Sequence, residues 1–166
     1  MTPKLRVFFG AFALLLPADW ASKLWVVQNL SYAERVPVIE GVFYISHVRN
    51  PGAAFGILAD SPEPFRKYFF IFVTIVAGLF VFSFLRNLPA QDSRSALALS
   101  LVLSGAVGNF IDRLFRGEVV DFLLVILPGG YSWPDFNFAD TFIVVGTGVL
   151  LFELLVTEGK SRDSTS

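Results

Sequence analysis

Tyr68-Phe-Phe-Ile-Phe-Val-Thr-Ile-Val-Ala-Gly-Leu-Phe-Val-Phe-Ser-Phe-Leu85 runs between Arg66-Lys67 and Arg86 without a charged side chain. A bilayer core of about 30 Å needs about 20 mostly apolar residues per helix, so this run with its flanks predicts a transmembrane span over roughly 66–86. Three further stretches qualify, at roughly 7–27, 96–115 and 137–157. The expectation is an α-helical integral membrane protein of a single membrane domain, 1–166, with four transmembrane helices and both termini on one side. Two longer segments, roughly 28–65 and 116–136, lie outside the spans on the opposite side, and the polar tail 161–166 is expected to be disordered.

Composition agrees with lipid as the solvent. Hydrophobic residues make up 54% of the chain and charged ones only 16%, against about a quarter charged in soluble domains. A formal net charge of −1 with scattered basic residues excludes the basic stripe of a nucleic-acid binder, so no nucleic acid is expected as a partner. There is no cysteine and a single histidine, His47. Thiol nucleophiles and disulfides are therefore excluded and a histidine- or cysteine-rich metal site is starved of ligands, so no metal and no cofactor are expected.

The first span could pass for a cleaved signal peptide, with Lys4 and Arg6 ahead of the apolar run Val7 to Leu16. Against that, no small-x-small pair sits at a usable distance, Asp19 and Lys23 interrupt the run, and apolar character resumes from Trp25 to Val27. Lys4, Arg6, Arg86, Arg94, Lys160 and Arg162 favour the cytoplasm for the side of the termini and the 87–95 loop, although Arg35, Arg49, Arg66, Lys67, Arg113 and Arg116 lie toward the other face. In the 28–65 segment, Val42-Phe-Tyr-Ile-Ser-His-Val48 is β-branched and aromatic enough for a strand, with Asn50-Pro-Gly52 as a turn. A small sheet on the outer membrane surface follows, because an open sheet edge cannot sit in hydrocarbon. From 116 to 136, Leu123 to Leu127 predicts a short amphipathic or interfacial element, then a loop at Pro128-Gly-Gly130.

Ionisable side chains within spans cost about 2.5–3.5 kcal/mol on insertion scales and usually face the protein interior for a purpose. Asp19 and Lys23, four apart on the first helix, stack as a self-neutralising pair near the helix end. Gly105, Asn109, Asp112 and Arg113 form one stripe on the third, where small residues and an Asp–Arg pair also fit plain helix packing. Asn137 and Asp140 open the fourth helix, where they equally suit an N-cap and a first-turn carboxylate. The topology nevertheless collects Asp19, Lys23, Asn50, Asp112, Asp121 and Asp140 at one membrane face, which scattered caps and packing pairs do not require.

Carboxylates without metal ligands suggest two aspartates sharing a proton, one activating water and the other donating to a carbonyl. The sequence holds no H-E-x-x-H and no G-x-S-x-G, and adjacent Ser22 and Lys23 point about 100° apart on a helix, which disfavours a Ser–Lys dyad. The residues alone leave both Asp112 and Asp121 as partners for Asp140. Asp112 sits beside Arg113, which would hold it ionised, whereas Asp121 follows two valines where desolvation helps a carboxyl keep its proton. A proton-conducting or transport subunit calls instead for polar residues along the full depth of the helices, and a pure scaffold leaves Asp121 and Asp140 unexplained.

Five segments together resemble the lipoprotein signal peptidase (signal peptidase II) family: Asp19-Trp-Ala-Ser-Lys23, Val48-Arg-Asn-Pro-Gly-Ala-Ala-Phe-Gly56, Gly105-Ala-Val-Gly-Asn109-Phe-Ile-Asp-Arg113, Val119-Val-Asp-Phe122 and Phe136-Asn-Phe-Ala-Asp140. They occur in the family's order over most of the chain, with Ala106 standing where a second glycine is frequent. The resemblance implies an aspartic endopeptidase of the bacterial inner membrane with both termini cytoplasmic, a small extracytoplasmic β-cradle and a short periplasmic helix or loop. Its substrate would be a diacylglyceryl-prolipoprotein cut before the lipidated cysteine, with membrane lipid around it and globomycin as inhibitor. Asp121 and Asp140 map to the family's catalytic aspartates, and Asn50, Gly105, Asn109, Arg113 and Asn137 to its substrate- and inhibitor-contacting positions, with Asp112, Asp19 and Lys23 in support.

Overall fold

The computed structural model describes residues 1–53 and 57–163, with backbone only from 157 onward. Four helices carry the chain: α1 (Pro3–Asn29), α2 (Glu63–Asn87), α3 (Ser93–Arg116) and α4 (Phe138–Asp163). Each is long and apolar enough to cross a membrane. Of the tail expected to be disordered, 161–163 continue the backbone of α4, and the rest lies outside the described residues.

Helix α3 is the centre of the bundle: 61% of its span is buried, against 11–17% in the other three. Between helices in lipid there is no hydrophobic driving force, so close packing of small residues decides which surfaces meet. Glycines make that contact with α4. A Cβ on Gly105 would lie 2.2 Å from the Ala139 carbonyl oxygen, and one on Gly146 would lie 2.6 Å from that of Ala98. Opposite this seam, Phe8, Val81, Leu85, Ala96, Leu99 and Leu103 form a packed core of α1, α2 and α3. Large apolar side chains such as Phe72, Leu79, Phe80, Leu151 and Phe152 are instead left exposed, the pattern of a surface facing acyl chains.

At the end of the bundle shared by the termini of the chain, Lys4 Nζ reaches the Leu85 and Leu88 carbonyls at 2.8 and 2.5 Å. These are orphan acceptors at the end of α2, and an ammonium satisfies them while matching the helix dipole. At the other end lies an antiparallel sheet in the order β1 (Arg35–Ile39), β2 (Phe43–Asn50), β3 (Val119–Val125). The 28–65 segment supplies two strands rather than the one expected. The 116–136 segment also departs from expectation. Where a short amphipathic element, helix or loop was anticipated, Val119–Val125 completes the sheet, because β2 offers its hydrogen-bonding edge and Val26 of α1 packs on Val120 and Phe122.

Candidate active site

The site is built where α3 ends, β3 runs past and α4 begins. On β3, Asp121 pairs with Val48 of β2, which leaves Asn50 diagonally across on the same face. Asn50 Oδ1 accepts from the Gly52 N–H at 3.0 Å, an Asx-type turn that aims the side-chain amide nitrogen at Asp121 Oδ2, 3.1 Å away. Ala54, Phe55 and Gly56 of the same motif lie outside the described residues.

Asp140 is delivered by the start of α4. The Phe136 carbonyl accepts from the N–H groups of both Phe122 and Leu123, at 2.9 and 2.8 Å, so the chain entering α4 is laced to the strand that carries Asp121. Asn137 then forms a reciprocal cap. Its Oδ1 accepts from the Asp140 N–H at 2.9 Å, while Asp140 Oδ2 accepts from the Asn137 N–H at 3.2 Å. Capping and site geometry are therefore one arrangement here, not alternatives. With its carbonyl committed, Asn137 turns its amide nitrogen to Asp121 Oδ1 at 2.7 Å. Asn109 donates to Asp140 Oδ1, also at 2.7 Å.

Beneath these amides runs a buried charge network. Lys23 Nζ, wholly buried, lies 2.9 Å from Asp19, 3.2 Å from Asp112 and 3.0 Å from Asn109 Oδ1. Asp112 is further paired with Arg116 and accepts from the Val120 N–H. The Asp112–Arg113 pair suggested by the sequence is replaced, since i and i+4 face each other on a helix and i and i+1 do not. Arg113 instead stacks over the Phe70 ring at 3.8 Å and donates to the carbonyls of Asn109 and Gly52. Ser22 Oγ donates to the Asp19 carbonyl at 2.7 Å, so its hydroxyl is engaged on its own helix and not by Lys23.

Asp121, Asp140, Asn50, Asn109 and Arg113 all line one cleft of about 990 Å³, whose far wall is Trp133, Pro134 and Phe136 and whose α4 side carries Ile143, Val144 and Val145. Asn137, Asp19, Lys23 and Asp112 stand behind that wall, fully buried, and Gly105 and Gly108, which do not line the cleft, let α3 pack closely on Ala139 and Asp19. Burial, and then the nearby charge of Asp140, push the Asp121 carboxyl up to about 7. One carboxyl is thereby equipped to hold a proton near neutral pH beside a second carboxylate that is open to the cleft. Three features escaped the sequence: the Asp112–Arg116 pair, readable from i,i+4 spacing; the approach of Gly108 to Asp19; and the contact of Ser46 with Asp135, which carries no local signal.

Two aspartates on the wall of one cleft, at one end of a bundle of four helices long enough to cross a membrane, are the arrangement a membrane-embedded hydrolase of the aspartic type requires. The profile of signal peptidase II matches residues 11–156, and the chain belongs to that family of peptidases. It is 43% identical over 156 residues to a lipoprotein signal peptidase of Syntrophus aciditrophicus, covering 93% of this chain and 96% of the relative. The corresponding enzyme of Bacillus subtilis is 38% identical over 156 residues, covering 94% and 97%. Two solved bacterial membrane enzymes share the fold. One has a TM-score of 0.83 at 30% identity over 92% of this chain and 89% of that one, the other 0.77 at 31% over 89% and 91%.

Proposed function

We propose that Asp121 and Asp140 are the catalytic pair that removes signal peptides from diacylglyceryl-modified prolipoproteins, cutting before the lipidated cysteine. The observation carrying this is Asn137, which donates to Asp121 through its side chain and to Asp140 through its backbone, fixing both carboxyls on the wall of one cleft. Water entering the cleft attacks the scissile carbonyl carbon while one Asp takes its proton and the other gives its own to the carbonyl oxygen. Collapse of the resulting diol breaks the C–N bond. The first Asp passes its proton to the leaving amine, the second recovers a proton from the diol hydroxyl, and the pair is restored.

The neighbours have matching tasks. Arg113 and Asn50 hold the peptide backbone at the cleft, and the apolar α4 side accommodates acyl chains arriving from lipid. Asp19 and Lys23 brace the floor. Globomycin, as an inhibitor of the family, would occupy the same cleft. The enzyme sits in the bacterial inner membrane with both termini cytoplasmic, which puts the sheet and the cleft at the outer leaflet boundary.

Purified protein in detergent, given a diacylglyceryl-modified prolipoprotein, is expected to release the signal peptide and to leave the unmodified precursor intact. Asp121→Asn and Asp140→Asn should each be folded and inactive, and the double variant no worse than either, because the two act as a unit. Asp112→Asn should retain turnover. A dead Asp112→Asn beside an active Asp121→Asn would move the assignment to Asp112.

A further inference from the structure

An asparagine side chain has an accepting end and a donating end, so its orientation decides what it offers a neighbouring carboxylate. Asn137 is oriented by its own helix, through the Asp140 N–H on its Oδ1. Asn109 has no such cap. Its Oδ1 receives Lys23 Nζ at 3.0 Å and Asn137 Nδ2 at 3.2 Å, and only then does its Nδ2 meet Asp140 Oδ1. An ammonium has three donors and no acceptor. Lys23 donates one hydrogen bond to Asn109 Oδ1 and is ion-paired with Asp19 and Asp112 at 2.9 and 3.2 Å, in a side chain that is wholly buried. Turning Asn109 over would set its amino group against that ammonium and its carbonyl against the Asp140 carboxylate. Lys23 therefore forbids the flip.

The same network limits what else Lys23 can do. Asp19 and Asp112 oppose the charges of Lys23 and Arg116, so the buried cluster is formally balanced. Besides the charge of Lys23 itself, which reaches Asp121, the cluster touches the aspartate pair through the Asn109 amide.

Resting on the dyad proposed above, we infer that Lys23 is a positioning residue for the reaction: by locking the Asn109 amide it keeps a donor on Asp140 Oδ1 and so holds that carboxyl in place as the water-activating base. Accessibility agrees with this role. Asp140 is partly open to the cleft, whereas Asp121 is 3% exposed.

The test is a double-mutant cycle between Lys23→Met and Asn109→Ser, with kcat and KM measured on a lipid-modified substrate across pH. Lys23→Met is expected to lower kcat on the order of 10²-fold, the scale of a misplaced catalytic group, with KM little changed and the alkaline limit of activity displaced. Lys23→Arg should recover part of kcat. Adding Lys23→Met to Asn109→Ser should cost nothing further, since the lysine acts through that amide. The double variant Asp19→Asn/Lys23→Met, which removes both members of the ion pair, is read in the same way should Lys23→Met alone be too unstable to purify. Unchanged kcat and pH profile in these variants, or a loss that adds fully to that of Asn109→Ser, overturns the positioning role. Asp121→Asn in parallel separates the two ideas: if it is inactive the dyad stands whatever Lys23 does, and if it is active the dyad itself falls.

Discussion

Asp19 Oδ1 accepts the backbone N–H of Ala139 at 2.9 Å, joining the middle of α1 to the first turn of α4 across 120 positions of sequence. The first-turn N–H groups of a helix have no partner within it, and a carboxylate there also favours the helix dipole. Asp19 thus clamps the turn that carries Asp140 while its other oxygen holds Lys23. Asp19→Asn, which keeps an acceptor, is expected to fold. Asp19→Ala leaves a buried ammonium short of a partner and should cost about 3–5 kcal/mol, the range for breaking a buried pair. Thermal unfolding in detergent measures the difference, and a melting temperature for Asp19→Ala equal to wild type would contradict it.

Gly105→Ala should be destabilising and slow, because the new methyl would meet the Ala139 carbonyl, which is backbone and cannot swing aside. Helix α4 must back away, and Asp140 moves with it. Gly148→Ala is the control, with nothing within 4 Å of its added Cβ. Equal unfolding temperatures for the two variants would show that the α3–α4 seam has slack.

Activity should fall as pH rises through about 7, where Asp121 loses its proton. Stability follows the same group. Its carboxyl binds a proton more tightly folded than unfolded, so between about pH 4 and 7 the native state holds the extra proton, and stability declines as pH rises through that window. Asp121→Asn removes the liability. The variant should gain stability over wild type as pH passes from 4 to 8, with little difference at the acid end; a gap of constant size across the series would argue against the shift.

Hydrolysis should survive EDTA and serine-directed reagents, since the proposed chemistry uses only carboxyls and water. Loss of turnover in chelator, restored by adding back a divalent ion, would refute that.

Orientation can be probed with single cysteines, as the chain has none of its own. Ser46 lies in the sheet segment but is fully buried against Asp135, whereas Val38 is 56% exposed. Val38→Cys in intact spheroplasts should react with an impermeant maleimide from outside. Labelling only after the membrane is opened would reverse the proposed topology.

The spans were legible because lipid imposes one demand, an unbroken apolar run, and Tyr68–Leu85 meets it alone. The candidate site was legible because ionisable side chains within a span are costly, which singled out Asp19, Lys23 and Asp112 for attention. Strand β3 was not, because Val119–Val125 carries an apolar pattern that suits an interfacial helix equally well, and only the waiting edge of β2 decides between them. The partner of Asp112 could have been read from the i,i+4 spacing to Arg116 but was missed. Proximity in sequence pointed to Arg113, and the helix turned that guanidinium toward Phe70 instead.

Strand β3 joins the sheet only after α2 and α3 have been threaded, and Asp140 arrives later still, on the last helix. Lys23, Asn50, Asn109, Asp121 and Asp140 come from five separate elements, so no fragment of the nascent chain possesses the catalytic centre. If Asp121 and Asp140 are the catalytic pair, the chain can acquire activity only once its final helix has docked against β3 and α3.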